Sequence, residues 1–348
     1  MPKPAQRAPK RPSSPRKTSK KVKGPASRTR PGRTALKAPT AVKVSLAERR
    51  GLTLAALERA QALLWAAAKV TSATVGGVEV RVAALGSIWA LRTHGLAAAA
   101  GLEVALRLPR LKDEAHPPAW AFSVLERLIG LAREDGLSSG QVVRWPTPFG
   151  EGAQTDLEAF AIAVDPSFGE VKTEHDVVPV LLAVGITGDE VRLLREWSPE
   201  GLLEVLSKLD PTWSTALDRA SLLASPRARQ AIEQRVEREG SSMGVLQARV
   251  SKGAGKGRLV WTVDAETADA IVSLLKGRIG HQRPFLVRGG DFELELQPGD
   301  APALSVEGAR ATLKLTQAMA RNLRATLKAR PGSYTWEGLP TLFVEVVP

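Results

Sequence analysis

GLEVALRL, residues 101–108, is the stretch from which the rest of this chain can be read. Leu102, Val104, Leu106 and Leu108 alternate with Glu103, Ala105 and Arg107, the period-two pattern of a strand with one buried face. Outward from it, Pro117 and Pro118 introduce AWAFSVLERLIGLA. There Phe122, Leu125, Leu128 and Ile129 recur at helical spacing, and proline is tolerated in a first turn. QVVRW (141–145), LEAFAIAV (157–164) closed by Asp165 and Pro166, and DVVPVLLAVG (176–185) read as further strands. In TGDEVRLLREW, Thr187 is followed three residues later by Glu190. This capping-box spacing predicts a helix directly after the sheet.

Toward the amino terminus, an Ala- and Leu-rich segment over 45–70 predicts a docking helix with Leu52, Leu57, Leu64 and Trp65 on its apolar face. GGVEVRVAAL and SIWALRTH predict strands, with a turn at Gly76 and Gly77. Toward the carboxy terminus, SPEGLLEVLSKL and SPRARQAIEQRVEREG predict helices capped by Ser198 and Ser225, the second stopped by Gly240. SKGAGKGR (251–258) lacks the glycine spacing and the Ser or Thr of a phosphate loop, and reads as a linker or a hairpin tip. RLVWTV predicts a strand and Asp264 caps a helix. RPFLVR and DFELELQ form a hairpin across Gly289, Gly290 and Asp291. ARATLKL predicts a strand, Thr316 introduces another helix, and SYTW and TLFVEVV predict the last two strands. Helices and strands mix without repeating strand-helix-strand units, so the expected class is α+β. The expected division is a disordered basic tail over 1–44 and two lobes, 45–250 and 251–348, each a mixed or antiparallel sheet with packed helices.

The charge is distributed unevenly. The chain carries +13, from 49 basic and 36 acidic residues, and positions 1–43 hold eight Lys and six Arg with no Asp or Glu. The tail therefore accounts for the whole excess and the remainder is near neutral. Such a stretch, rich in Pro and Ser and poor in apolar side chains, cannot repay the entropy of ordering. It is either a polyanion-binding arm or a solubilising extension. With no cysteine, disulfides, thiolate metal sites and cysteine nucleophiles are excluded. No apolar run approaches the roughly 20 residues that span a bilayer, and no membrane partner and a cytoplasmic location are expected. His94, His116, His175 and His281 are dispersed without metal-ligand spacing, no Gly-x-Ser-x-Gly elbow is present, and Asp165 reads as a turn residue. No enzyme, metal or cofactor is expected. Eight Trp against one Tyr are either interface anchors or core residues.

The order GLEVALRL, PPAWAFSVLERLIGLA, QVVRWPTP, AVDP, VVPVLLAVGITGDEV, REWSPEGLLEVL and ALDRAS resembles the amino-terminal domain of the suppressor of fused family. ETADAIVSLLKGRIGHQRPFLVRGGDFELEL and SYTWEGLPTLFVEVV resemble its carboxy-terminal domain. The resemblance implies a monomeric, non-enzymatic protein that grips an extended partner polypeptide between two lobes by strand augmentation. It implies Gly277, Arg278, His281, Arg283 and Phe285 as one wall of that cleft, with Gln141 on the first lobe at a position where the family has an aspartate. Bacterial members have been proposed as immunity proteins against polymorphic toxins, and the Ala- and Arg-rich composition fits a bacterial origin. The alternative is a nucleic-acid-associated protein acting through its basic tail.

Overall fold

The computed structural model describes residues 46–66, 68–145, 155–172, 176–248, 250–255, 258–290, 292–336 and 339–348. The expected basic tail and His175 lie outside them. Residues from Val44 onward form one compact unit. Its amino-terminal half runs α1 (Leu46–Leu64), β1 (Val70–Val75), β2 (Val78–Leu85), β3 (Ile88–His94), α2 (Ala97–Ala100), β4 (Glu103–Pro109), α3 (Ala119–Glu134), β5 (Val142–Arg144), β6 (Leu157–Val164), β7 (Glu170–Lys172), β8 (Val177–Thr187), α4 (Gly188–Leu193), α5 (Pro199–Leu206) and α6 (Pro226–Glu239). The carboxy-terminal half runs β9 (Val245–Gln247), β10 (Val250–Gly255), β11 (Arg258–Asp264), α7 (Ala265–Gly277), β12 (Phe285–Gly289), β13 (Phe292–Pro298), β14 (Ala303–Glu307), β15 (Arg310–Leu315), α8 (Gln317–Thr326), β16 (Gly332–Trp336) and β17 (Leu339–Val347). The class is α+β.

One sheet, ordered β1-β2-β3-β4-β8-β6-β5 with β7 on the flank of β8, organises the first half. Only the β4–β8 pairing in it is parallel. On one face, Val104, Leu106 and Leu108 of β4 meet Val124, Leu125, Leu128 and Ile129 of α3. Each such aliphatic side chain removed from water contributes about 1.5–3 kcal/mol. On the other face Ala105, Ala159, Ala161 and Ala163 keep the sheet surface shallow, so that Leu57 of α1 and Trp197, Leu202, Leu203 and Leu206 in and near α5 pack onto it.

Here the structure corrects the half-buried expectation for GLEVALRL. Every residue of β4 from Glu103 to Leu108 is buried, because helices cover both faces. The polar residues of the second face are matched internally. Glu103 accepts from Thr93 Oγ1 (2.5 Å), Gly95 N (2.9 Å) and Ala97 N (3.1 Å). Arg107 pairs with Asp165 at 2.6 Å and also donates to Ser167 Oγ and Thr212 O. Asp165 does form the expected turn, its Oδ1 accepting from Ser167 N and Phe168 N, but it is 1 % exposed and serves as a buried counter-ion as well.

Other elements depart from the sequence reading in the same direction. The first helix ends at Leu64 instead of reaching Val70, since Val70–Val75 pairs with β2 in a register from Val70↔Ala83 to Val75↔Val78. Leu57 and Trp65 of its expected apolar face are buried, whereas Leu52 and Leu64 are exposed. β7, β9 and β14, of three to five residues, fall in stretches too short or too polar to show a period. SKGAGKGR is the end of a hairpin, β10 running antiparallel to β11 as far as Gly255↔Arg258. The caps agree: Glu190 accepts from Thr187 N at 3.0 Å, Asp264 from Thr267 N at 2.7 Å and Thr316 from Met319 N at 3.2 Å.

The carboxy-terminal half holds two sheets, β10-β11-β17-β16 and β14-β15-β13-β12-β9. They share with α7 and α8 a separate core that includes Trp261, Ile271, Leu274, Phe285, Leu296, Leu313 and Val344. By pairing, β9 belongs to this half although it precedes residue 250. Trp197 and Trp261, 0 % and 2 % exposed, are core residues. Ion pairs cross between the halves: Arg195 to Glu266 (3.0 Å) and Asp269 (2.8 Å), Arg144 to Glu266 (2.7 Å), and Lys276 to Glu196.

Candidate functional site

Two sheet edges meet at one cleft. Among the described residues, β5 is the last strand of the first sheet and pairs with β6 alone, and β9 is the last strand of its sheet and pairs with β12 alone. Hydrogen bonds from Ile162 N to Gln141 O (2.9 Å) and from Trp145 N to Glu158 O (2.8 Å) fix the phase of β5. By strand alternation, the backbone groups of Val142 and Arg144 then turn away from β6. Likewise Leu286 N donates to Gly244 O and Ala248 N to Arg288 O, both at 2.9 Å. The backbone groups of Val245 and Gln247 therefore turn away from β12. Val142, Val245 and Gln247 all line a cleft of about 630 Å³, with Gln141, Leu194 and Glu200. A sheet edge with outward backbone groups is a template for another strand.

The turn entering β5 is tightly built. Gln141 uses its side-chain carbonyl to accept from Ser138 N at 2.8 Å, and Gly140, at φ +85°, lies so close to Glu200 that a Cβ would come 2.6 Å from its Oε1. Of the six residues expected at the partner site, Gln141 lines the cleft. The other five stand behind β9. Arg278 donates from Nη1 to Ser241 O (3.0 Å) and from Nε and Nη2 to Pro284 O, and Arg283 donates to Ser241 O at 3.4 Å. Gly277 accepts from Ser241 N at 2.7 Å; a Cβ on it would come 2.8 Å from Ser241 Cβ and 2.9 Å from Glu196 O. His281 packs against Gly240, and its pKa is pushed below 6.5 by burial and then by the Arg283 charge. Phe285 is 1 % exposed in the second core. Gly277, Arg278, His281 and Arg283 clamp the Gly240–Gly244 segment that delivers β9 to the edge. Sequence reading missed Ser242–Gln247 as cleft wall, because a three-residue strand carries no periodicity to find.

Among the described residues no group of three or more His, Asp or Glu is placed to hold a metal ion. No described helix is long and apolar enough to cross a membrane.

Comparison with known proteins agrees with this architecture. Residues 89–220, which contain β4, α3, β5 and the Arg107–Asp165 pair, match the family model of the Suppressor of fused protein (SUFU). That segment is similar to a suppressor of fused domain. The Suppressor of fused homologs of Mus musculus and Homo sapiens are each 26% identical to it over 160 residues, covering 43% of this chain and 32% of theirs. The match thus spans about a third of those relatives. The crystal structure of Drosophila Suppressor of Fused superposes with a TM-score of 0.62 at 14% identity, over 85% of this chain and 96% of that one. The suppressor of fused fold therefore extends beyond the stretch matched by sequence, into the half that contains β9.

Proposed function

We propose that this chain is a non-enzymatic protein-binding module that takes up an extended segment of a partner polypeptide as an added strand between β5 and β9. The carrying observation is that these two edge strands, about one hundred residues apart in sequence, direct backbone groups into the same cleft. Main-chain bonds to Val142 on one side and to Val245 and Gln247 on the other supply affinity that does not depend on partner sequence. Gln141, Glu200 and Leu194 supply selectivity. Arg278, Arg283, His281, Gly277 and Phe285 hold β9 in place. The partner is a toxin domain and the chain its cytoplasmic, monomeric immunity protein, a reading supported by what the resemblance implies for bacterial members.

Gln247→Pro tests strand addition. It removes an outward N–H without touching the bonds to β12, so the melting temperature stays near that of the parent while capture of the native partner weakens about tenfold, the worth of one or two hydrogen bonds. Unchanged capture with an intact fold overturns the proposal. The lysines and arginines of residues 1–43 support a second activity, salt-sensitive contact with nucleic acid. It predicts an electrophoretic shift of DNA by the full chain that is lost when the chain starts at Ser45.

A further inference from the structure

A second site lies on the α1-covered face of the amino-terminal sheet and shares no lining residue with the β5–β9 cleft. Arg92, on β3, is 0 % exposed. Its Nη2 donates to Gln61 Oε1 at 2.6 Å, but Nε and Nη1 have no hydrogen-bond partner among the described residues. No carboxylate pairs with it among the described ion pairs. The ring of Phe168, 4.9 Å from Cζ, is its nearest aromatic neighbour. Burial pulls its pKa down to about 10, against the opposing charge of Glu103. A buried guanidinium with two nitrogens unbonded and no carboxylate in contact is costly, so it is a ready site for an anion.

The surroundings say what that counter-ion is. Arg92, Arg107 and Asp165 line one cavity of about 200 Å³. The Arg107 charge is already matched by Asp165 Oδ1 at 2.6 Å, whereas Asp165 Oδ2, also buried, has no partner. The cavity thus offers one guanidinium outside any described ion pair with two unbonded nitrogens, one acceptor awaiting a donor, and aromatic walls from Trp65 and Phe168. Leu64 and Pro211, both exposed, leave the mouth open to solvent.

We infer that this cavity binds a small organic acid with an apolar body and a hydroxyl or ammonium group beside its carboxylate. The carboxylate takes the free nitrogens of Arg92, the neighbouring donor takes Asp165 Oδ2, and the apolar body lies between Trp65, Phe168 and Leu64. A net positive, partly apolar cavity of this size selects monoanions over phosphates, whose greater charge would remain unmatched, and over neutral molecules, which leave Arg92 uncompensated.

Isothermal titration of the full chain with 3-phenyllactate, with its methyl ester and with acetate tests this. Saturable binding of phenyllactate, weakened at least about tenfold in the ester for loss of a charge-assisted contact and in acetate for loss of the apolar body, is the expected result. Arg92→Leu should abolish that binding while the chain still folds, because no described ion pair depends on the guanidinium. Equal binding of acid and ester, unchanged binding in Arg92→Leu, or no saturable binding by the parent chain overturns the inference; the last result would mean that water alone satisfies Arg92 and Asp165. The acid-against-ester comparison uses only the parent protein, so a poorly folding variant does not weaken the test.

Discussion

The two faces of the amino-terminal sheet are equally buried but differ in chemistry. Toward α3 the face is aliphatic, with Val104, Leu106 and Leu108 packed on Leu125, Leu128 and Ile129. Toward α1, α5 and α6 it alternates small alanines with Glu103, Arg107, Arg92 and the apposed Asp165. The first face tolerates exchange among hydrophobic residues of similar volume. The second works only if each polar group meets its own partner, so it specifies pairing and leaves a residual charge at Arg92 that can be put to use. Stability without individuality resides on one side of β4, and individuality on the other.

The largest expected effect tests that contrast directly. Arg107→Leu leaves Asp165 buried and unpaired and should cost about 3–5 kcal/mol in denaturant unfolding, whereas Arg92→Leu, on the same face but in no ion pair and feeling Glu103 only at longer range, costs less. Adding Asp165→Asn to Arg107→Leu should recover part of the loss, since the pair is coupled. A single-mutant cost for Arg107→Leu no greater than that of an exposed substitution would break the distinction. Leu128→Ala, on the aliphatic face, should cost about 2–5 kcal/mol with no partner able to rescue it.

The same contrast extends to the residues behind β9. Phe285 belongs to the second core, and Phe285→Ala should cost about 3–5 kcal/mol. Arg283 makes one long bond to Ser241 O and is exposed, so Arg283→Ala should remain within about 1 kcal/mol of the parent. Paired melts of the two variants would show which member of the GRIGHQRPF loop holds the fold and which serves only the edge.

The smallest effect is a pH dependence at the rim of the polar face. His94, below 6.5 through burial and then through the Arg81 and Arg92 charges, is opposed only by Glu79 and Glu58. The unfolded chain therefore binds the proton first as pH falls through 6.5, and stability declines from there down to the lowered folded value while remaining flat above it. His94→Asn should flatten that decline in melting temperature. An unchanged slope would mean that another group sets it.

Much of this arrangement is legible along the chain. The helix of α3, strands β6 and β8 and the caps at Ser198, Ser225, Asp264 and Thr316 follow from patterns that lie within a few residues of one another. Local periodicity and local capping need no knowledge of what packs where. The order of segments likewise carried the resemblance to suppressor of fused proteins.

Only the folded chain decided the rest. Whether Glu103 and Arg107 face water or the interior depends on α1 and α5 covering a second face, and Arg107 meets Asp165 across 58 residues. Residues of β5 and β9 become opposing walls only after two sheets are assembled, and β9, three residues long, has no period to betray it. Phe285 and Arg283, two positions apart, are divided between core and edge by the turn of β12 alone. Backbone preference is written locally; the partners of buried charges and the edges of sheets are set by contacts distant in sequence, which is why they emerge only in three dimensions.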